Sequence, residues 1–163
     1  MLRRLLAALV AAAALLPSAA LAVPQPGKPA PALDLPSLDG KKSVNLQALR
    51  GKPVYINFFA SWCGPCNSEA PSIRTLREKY DKRGLTFVGV DELDPRGAAA
   101  AFVKKYDAPY DLVALDDSGA LGRTYGTVAM PVHVFIDRNG IVKQFVLGEM
   151  NPAQIEAALR ALL

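Results

Sequence analysis

The sequence predicts an α/β domain in which helices cover both faces of a central mixed β-sheet, with a β-hairpin as an N-terminal extension. Three observations predict this class. Residues 53–59 and 85–90 are almost continuously apolar and β-prone, as in strands that are buried on both faces. Helical stretches alternate with these runs. Asn139-Gly140, between two further β-prone runs, indicates a closing hairpin that makes the sheet mixed.

The segment before the first buried strand predicts a leader and then a hairpin. Residues 23–36 are rich in proline and indicate an extended leader to the domain proper, residues 37–163. Runs at 33–35 and 43–46 flank Asp39-Gly40, a dipeptide typical of turns. A short helical turn is predicted to end at Gly51.

The helices are predicted from apolar spacing and from their first residues. Ile73, Leu76 and Tyr80 lie on one face of a helix that follows the cysteines. Asp94 as N-cap and Pro95 as first residue predict a helix over residues 94–106. The remaining predicted elements are a strand at 110–115, a short helix at 119–126, hairpin strands at 131–137 and 141–146, and a last helix from Asn151-Pro152 with Ile155, Leu159 and Leu162 inward.

The N-terminus predicts export. Arg3 and Arg4 precede an apolar run, residues 5–16, and Ala20-Leu21-Ala22 form a small-x-small cleavage site, so residues 1–22 have the pattern of a secretory signal. The apolar run is short for a membrane span, which needs about 20 residues, although an uncleaved membrane tether stays an alternative. We expect a periplasmic protein.

The length and the net charge of the chain indicate a single domain and argue against a nucleic-acid-binding protein. Without residues 1–22 the chain keeps about 140 residues, the length of one domain. Its net charge of +4 includes Arg3 and Arg4. The remainder is too weakly basic to indicate a nucleic-acid partner. No cofactor is predicted.

Cys63 and Cys66, both cysteines of the chain, stand three residues apart. A structural zinc site needs four ligands, and His133 is the single histidine, so these residues cannot complete one. A disulfide that closes so small a loop contributes little stability. The pair therefore predicts redox chemistry.

The two cysteines are predicted to differ in role. Cys63 follows a strand and begins a helix, and Pro65 suits a first helical turn. Unpaired N–H groups at a helix N-terminus favour an anion, which lowers the pKa of a thiol there. Cys63 is predicted to be the nucleophile that attacks a disulfide. Cys66, in the first turn, is predicted to resolve the mixed disulfide.

Residues 27–71, with Trp62-Cys63-Gly64-Pro65-Cys66 before a helix, and the later run VFIDRNGIV resemble the TlpA/ResA/CcmG group of exported thioredoxin-like thiol:disulfide oxidoreductases. The resemblance covers roughly residues 27–163. It implies a thioredoxin-like fold and a cis peptide bond before Pro131, with the backbone of Met130 open to a substrate strand. Trp62, Gly64, Pro65, Met130 and Pro131 are the implied substrate contacts.

The resemblance also implies the direction of electron flow and the partners. The Gly64-Pro65 pair is found in reducing thioredoxins, so Cys63 and Cys66 are expected to reduce disulfides of exported proteins, as in cytochrome c or copper-centre maturation. A membrane-embedded thiol donor would reduce them again. Relatives often carry Thr or Val just before the proline and Thr-Thr or Glu-Thr just after it. This chain instead has Met130 before Pro131 and Val132-His133 after it.

Cys66 must lose a proton to resolve the mixed disulfide, and Asn57, at the position of a buried acid in cytosolic thioredoxins, cannot accept it. Exported relatives often place an acid after the second buried strand, which favours Asp94 and then Glu92. The competing interpretation makes Asp94 a helix cap. Glu69 is expected in solvent and His133 at a packed or surface position.

Two other function classes stay open. Met130 with Cys63 and Cys66 would give soft ligands suited to Cu(I), and would make the chain a copper-handling protein. A peroxidase shares the predicted fold but needs no second cysteine, and its usual Thr-x-x-Cys is absent.

Overall fold

The computed structural model describes residues 23–95 and 97–163. The predicted signal, residues 1–22, lies outside the described residues. The elements in chain order are β1 (Asp34–Pro36), β2 (Ser43–Asn45), a 3-10 helix (Leu46–Leu49), β3 (Val54–Phe59), α1 (Gly64–Asp81), β4 (Thr86–Glu92), α2 (Ala98–Lys105), β5 (Leu112–Asp116), α3 (Ala120–Tyr125), β6 (Val132–Ile136), β7 (Val142–Leu147) and α4 (Pro152–Arg160).

The predicted mixed sheet is confirmed. Its strand order is β5-β4-β3-β6-β7, with β3, β4 and β5 parallel and β6 and β7 antiparallel. All six residues of β3 are buried, as its apolar sequence predicted. Because β3 is central and parallel to β4, the carboxyl ends of these two strands meet at one edge of the sheet.

Two apolar clusters cover the two faces of this sheet. The first joins one face to α1, α2 and α4 and contains both cysteines. The second joins the other face to α3 and the β1–β2 hairpin through Leu121, Tyr125, Leu33 and Val44. Side chains alternate between the faces along each strand, so Tyr55 and Phe59 of β3 lie on the cysteine side.

The N-terminal segment is attached to the sheet at two places. Residues 27–30 form backbone hydrogen bonds with residues 140–142, at the turn into β7. The predicted β1–β2 hairpin is present, and the N–H of Leu38, just after β1, donates to the carbonyl of Val113 in β5. In the described ranges, 23–95 and 97–163, no helix is long and apolar enough to cross a membrane.

Two predicted boundaries shift at the carboxyl end of β4. The strand continues to Glu92, beyond the predicted residues 85–90, so Asp91 and Glu92 are strand residues. The prediction that Asp94 caps the next helix is wrong. That helix, α2, begins at Ala98 after Gly97, whose φ of 86° places it in the left-handed region. Asp94 instead turns toward the loop that precedes the cysteines.

Candidate active site

Cys63 and Cys66 form a disulfide at the N-terminus of α1. Cys63 is the N-cap residue, and the N–H of Cys66 donates to its Sγ at 3.1 Å. Pro65 occupies the first turn, as predicted. A thiolate formed at Cys63 would therefore face a backbone N–H and the positive end of an 18-residue helix. In the reduced protein this placement would stabilise a thiolate at Cys63.

Two exposed apolar side chains lie in the loop that precedes Cys63 and in the loop that precedes Pro131. Trp62 is 62% exposed, and Val128, in the loop before Pro131, is 86% exposed. The half-buried Met130 packs against the core cluster that contains both cysteines. The Met130–Pro131 peptide bond is cis, as the resemblance implied. We call residues 60–63 the cysteine loop and residues 126–131 the proline loop.

The amide of Asn67, on the first turns of α1, fixes the cysteine loop from one side. Its Nδ2 donates to the carbonyl oxygens of Ser61 at 2.9 Å and Cys63 at 2.7 Å. Its Oδ1 accepts from the hydroxyl of Tyr106, just after α2, at 2.7 Å. The loop is therefore connected to α2 through one side chain, a contact that the sequence did not indicate.

The carboxylate of Asp94 holds the same loop from the other side. Its Oδ2 accepts from the backbone N–H of Ser61 at 2.7 Å, and its Oδ1 accepts from the Ser61 hydroxyl at 2.9 Å. Both acceptors of Asp94 are thus directed at a residue two positions before Cys63. Asp94 therefore anchors the cysteine loop and does not cap α2.

Glu92 lies at the proline loop. Its side chain is 5% exposed and its Oε1 accepts from the hydroxyl of Thr127 at 2.8 Å. It packs against Gly122, where a Cβ atom would lie 2.0 Å from Oε1, so a side chain at position 122 would displace the Glu92 carboxylate. Burial raises the pKa of Glu92, the Thr127 hydrogen bond opposes this rise, and Asp116 adds to it.

Asp91 is a site residue that the sequence reasoning missed. It pairs with Phe59 across the β3–β4 ladder and lies on the cysteine side of the sheet. Burial first, then the neighbouring Asp94, raises its pKa to about 8. Because the strand was predicted to end at residue 90, Asp91 was not assigned to the sheet. Phe87, Gly89 and Asp91 alternate along the strand, and this alternation would have predicted that Asp91 lies on the same face as Phe87.

A buried polar network crosses the sheet below α1. Asn57 accepts from the hydroxyl of Tyr110 at 2.6 Å and donates to the carbonyl of Val132 at 3.3 Å. His133, which is fully buried, contacts the Tyr55 hydroxyl at 2.8 Å through Nδ1. The expectation that Glu69 lies in solvent is wrong, because it is 4% exposed on the inner face of α1.

Comparison with known proteins agrees with this geometry. The chain matches the Redoxin family over residues 25–162. It is 36% identical to thiol-disulfide oxidoreductase ResA of Bacillus thuringiensis subsp. konkukian over 136 residues, which cover 83% of this chain and 78% of the relative. It is 35% identical to thiol:disulfide interchange protein DsbE of Pseudomonas fluorescens biotype C over 122 residues, which cover 75% of this chain and 66% of that relative.

A solved structure of similar fold is a secreted disulfide oxidoreductase of Mycobacterium tuberculosis, homologous to DsbE of E. coli. It superimposes with a TM-score of 0.72 and 28% identity, covering 80% of this chain and 96% of that chain. The predicted thioredoxin-like fold and the oxidoreductase class are confirmed. With a disulfide between the two cysteines of its Cys-x-x-Cys motif, the chain belongs to the Redoxin family, among its thiol:disulfide oxidoreductases.

Proposed function

We propose that this protein works in the periplasm and reduces disulfides of exported proteins through the dithiol of Cys63 and Cys66. The observation that carries the proposal is the position of the Cys63–Cys66 disulfide at the N-terminus of α1, where the N–H of Cys66 points at Cys63 Sγ. A nucleophilic thiolate needs this kind of stabilisation, and a structural disulfide does not.

The proposed reaction transfers two electrons in two exchange steps. The Cys63 thiolate attacks one sulfur of the substrate disulfide, so a mixed disulfide forms and one substrate thiolate leaves and takes up a proton. Cys66 then loses its proton and attacks Cys63 Sγ. The Cys63–Cys66 disulfide forms, the mixed disulfide breaks, and the second substrate thiol is released. The substrate is reduced and the protein is oxidised.

The substrate is proposed to lie across the cysteine loop and the proline loop. Trp62 offers a 62% exposed apolar surface beside Cys63, while Gly64 and Pro65 are exposed at the start of α1. Met130 and Pro131 are proposed to contact the substrate from the proline loop. Aromatic side chains are common anchors of protein interfaces, and the exposed ring of Trp62 suits a polypeptide substrate.

The direction of transfer is proposed from the Gly64-Pro65 pair, which is typical of reducing members of this fold. Dedicated oxidants keep a periplasm oxidising, so a reductase there needs its own supply of electrons. We propose a membrane-embedded thiol protein as the donor. An uncleaved residue 1–22 segment would act as a tether that keeps the two together. Cytochrome c and copper-centre maturation are the proposed settings.

Trapping of mixed disulfides tests this function. The full-length Cys66→Ala variant, expressed in the periplasm, should accumulate disulfide-linked proteins on Cys63, because the resolving step is blocked. The Cys63→Ala variant, which keeps the other thiol, is the matched control and should trap far less. Equal trapping by the two variants, or adducts that accumulate only in strains lacking the periplasmic oxidants, would contradict the proposed reductase.

A further inference from the structure

Two carboxyl groups meet at the end of β4, below the cysteine loop. Asp91 and Asp94 line a cavity of about 310 Å³ together with Leu38, Ala99, Leu115 and other residues of the loops around it. In the described ranges no three His, Cys, Asp or Glu side chains are placed to hold a metal ion, so this pair is not explained as a cation site.

The two carboxyl groups have different hydrogen-bond partners. Asp94 accepts twice from Ser61, through its backbone N–H and its hydroxyl. Asp91 is 3% exposed, and within the described part of the chain its Oδ1 has no hydrogen-bond partner. The residue beside it on β3 is Phe59, whose ring cannot donate. A hydrogen bond between the two carboxyl groups therefore needs a proton on one of them.

The surroundings place that proton on Asp91. Among the described residues, the charged groups that face it are Asp94, after β4, and Asp117, after β5, and both are acidic. Tyr110, before β5, also interacts electrostatically with Asp91, and burial raises the pKa of this tyrosine far above the neutral range. Burial and the hydrogen bond to Asp94 raise the pKa of Asp91 to about 8.

We propose that Asp91 is a positioning residue whose carboxyl proton is donated to Asp94 and holds that side chain in the orientation that anchors Ser61. The cysteine loop is then fixed two residues before Cys63 by a chain of three hydrogen-bonded side chains. When Asp91 ionises, two neighbouring carboxylates repel each other, Asp94 turns away, and Ser61 loses both of its acceptors. Ionisation thus loosens the cysteine loop.

The single tryptophan of the chain reports on this loop, because Trp62 directly follows Ser61. In the oxidised full chain the cysteines do not titrate, so the fluorescence of Trp62 can be followed from about pH 6 to 9.5 without interference from thiols. We expect a transition with its midpoint near pH 8. The Asp91→Asn variant should show none, because its amide still donates to Asp94 but does not ionise.

Two controls isolate the proposed path. The α-amino group also titrates at about 7.7–8.0, but it is present in both proteins and cancels in the comparison. Ser61→Ala should reduce the change in Trp62 fluorescence. In the same variant the Asp91 carboxyl carbon, followed by NMR, should still titrate near pH 8. The proposal is overturned if Asp91→Asn keeps the transition, if Ser61→Ala keeps its full amplitude, or if the Asp91 resonance titrates below about pH 6.

An effect of Asp91 on catalysis rests on the proposed function, and it is tested separately by the rate of disulfide reduction. The ratio of disulfide-reduction rates, Asp91→Asn over wild type, should be near one at about pH 6 and rise at least about threefold by pH 9, since only the wild type loses its loop anchor. Thiolate formation is common to both proteins. A flat ratio beside an intact fluorescence transition would refute the positioning role. Absence of reduction in both proteins at every pH would instead refute the proposed function.

Discussion

Glu69 and His133 face each other in the core, with His133 Nε2 3.5 Å from Glu69 Oε2, and in the described residues neither atom has a hydrogen-bond partner at shorter range. His133 Nδ1 lies 2.8 Å from the Tyr55 hydroxyl and 3.4 Å from Asn57 Nδ2, which is an amide donor. These two neighbours favour Nδ1 as the acceptor of the ring. A ring hydrogen on Nε2 then faces Glu69.

This geometry predicts strong energetic coupling between Glu69 and His133. Glu69→Leu removes the carboxylate that faces His133 Nε2 and accepts from the Met150 N–H, and His133→Leu removes the nitrogen that faces Glu69 Oε2, so each should cost about 3 kcal/mol of unfolding free energy. The double variant should be less destabilised than the sum of the two, with a coupling energy of at least about 1 kcal/mol in urea unfolding.

The exposed pair of Arg74 and Glu78 on α1 is the matched control. Its atoms lie closer, at 2.9 Å, but the side chains are 36% and 48% exposed. Water screens such a pair, so its double-alanine cycle should give less than about 0.5 kcal/mol. Additive losses at Glu69 and His133 would mean that the buried contact contributes nothing to stability.

Asp91 predicts an unusual dependence of stability on pH. Its pKa is about 8 in the folded protein, and about 3.9 is normal for an unfolded chain, so between these values the folded state binds more protons. Its contribution to stability is complete below the unfolded pKa and is lost as pH rises through the folded pKa. The melting temperature of Asp91→Asn relative to wild type should therefore rise between about pH 5 and 8.5. A constant difference would contradict the raised pKa.

The hydrogen bond from Thr127 to Glu92 predicts an effect on substrate binding rather than on the cysteines. Thr127→Val keeps the shape of the side chain and removes the donor, which frees the proline loop from β4. If the lost hydrogen bond weakens substrate binding by about 1 kcal/mol, KM should rise about fivefold. The alkylation rate of Cys63 should not change. Thr124→Val is the control, because the Thr124 hydroxyl donates within α3, to the carbonyl of Ala120.

The role of Asp94 or Glu92 in taking the proton from Cys66 stays a prediction. Asp94→Asn keeps an oxygen that can accept from the N–H of Ser61 but removes the carboxylate, so the melting temperature should change little while the pH–rate profile shifts. Glu92→Gln is the corresponding test at the proline loop. Unaltered pH–rate profiles in both variants would mean that the two carboxyl groups hold the loops in place and do not take the proton from Cys66.

The N-cap position of Cys63 predicts its reactivity in the reduced protein. Cys63 should be alkylated near neutral pH well before Cys66, because helix N–H groups stabilise its thiolate. The reduction potential should lie nearer to that of thioredoxin, about −270 mV, than to that of DsbA, about −120 mV. Faster alkylation of Cys66 would reverse the assignment of the nucleophile, and a potential at the oxidising end would contradict a reductase.

The sequence alone determined the order of elements and the redox centre. The apolar run of β3, the helical spacing of Ile73, Leu76 and Tyr80, and the Asn151 cap of α4 are local patterns, and the structure has each of them. The pair of Cys63 and Cys66 is also local. Such local patterns predict structure correctly because periodicity and backbone preferences depend on residues that are close in the sequence.

Only the tertiary structure decided what surrounds the cysteines. Ser61 and Asp94 are 33 residues apart, and the Glu69 carboxylate and the Met150 N–H that it accepts from are 81 apart. Asp94 has the sequence signature of a cap, yet its carboxylate binds Ser61, because the parallel pairing of β3 and β4 brings both to one sheet edge. Which long-range partner satisfies a polar side chain depends on strand pairing and burial across the whole fold, and no local pattern in the sequence encodes it.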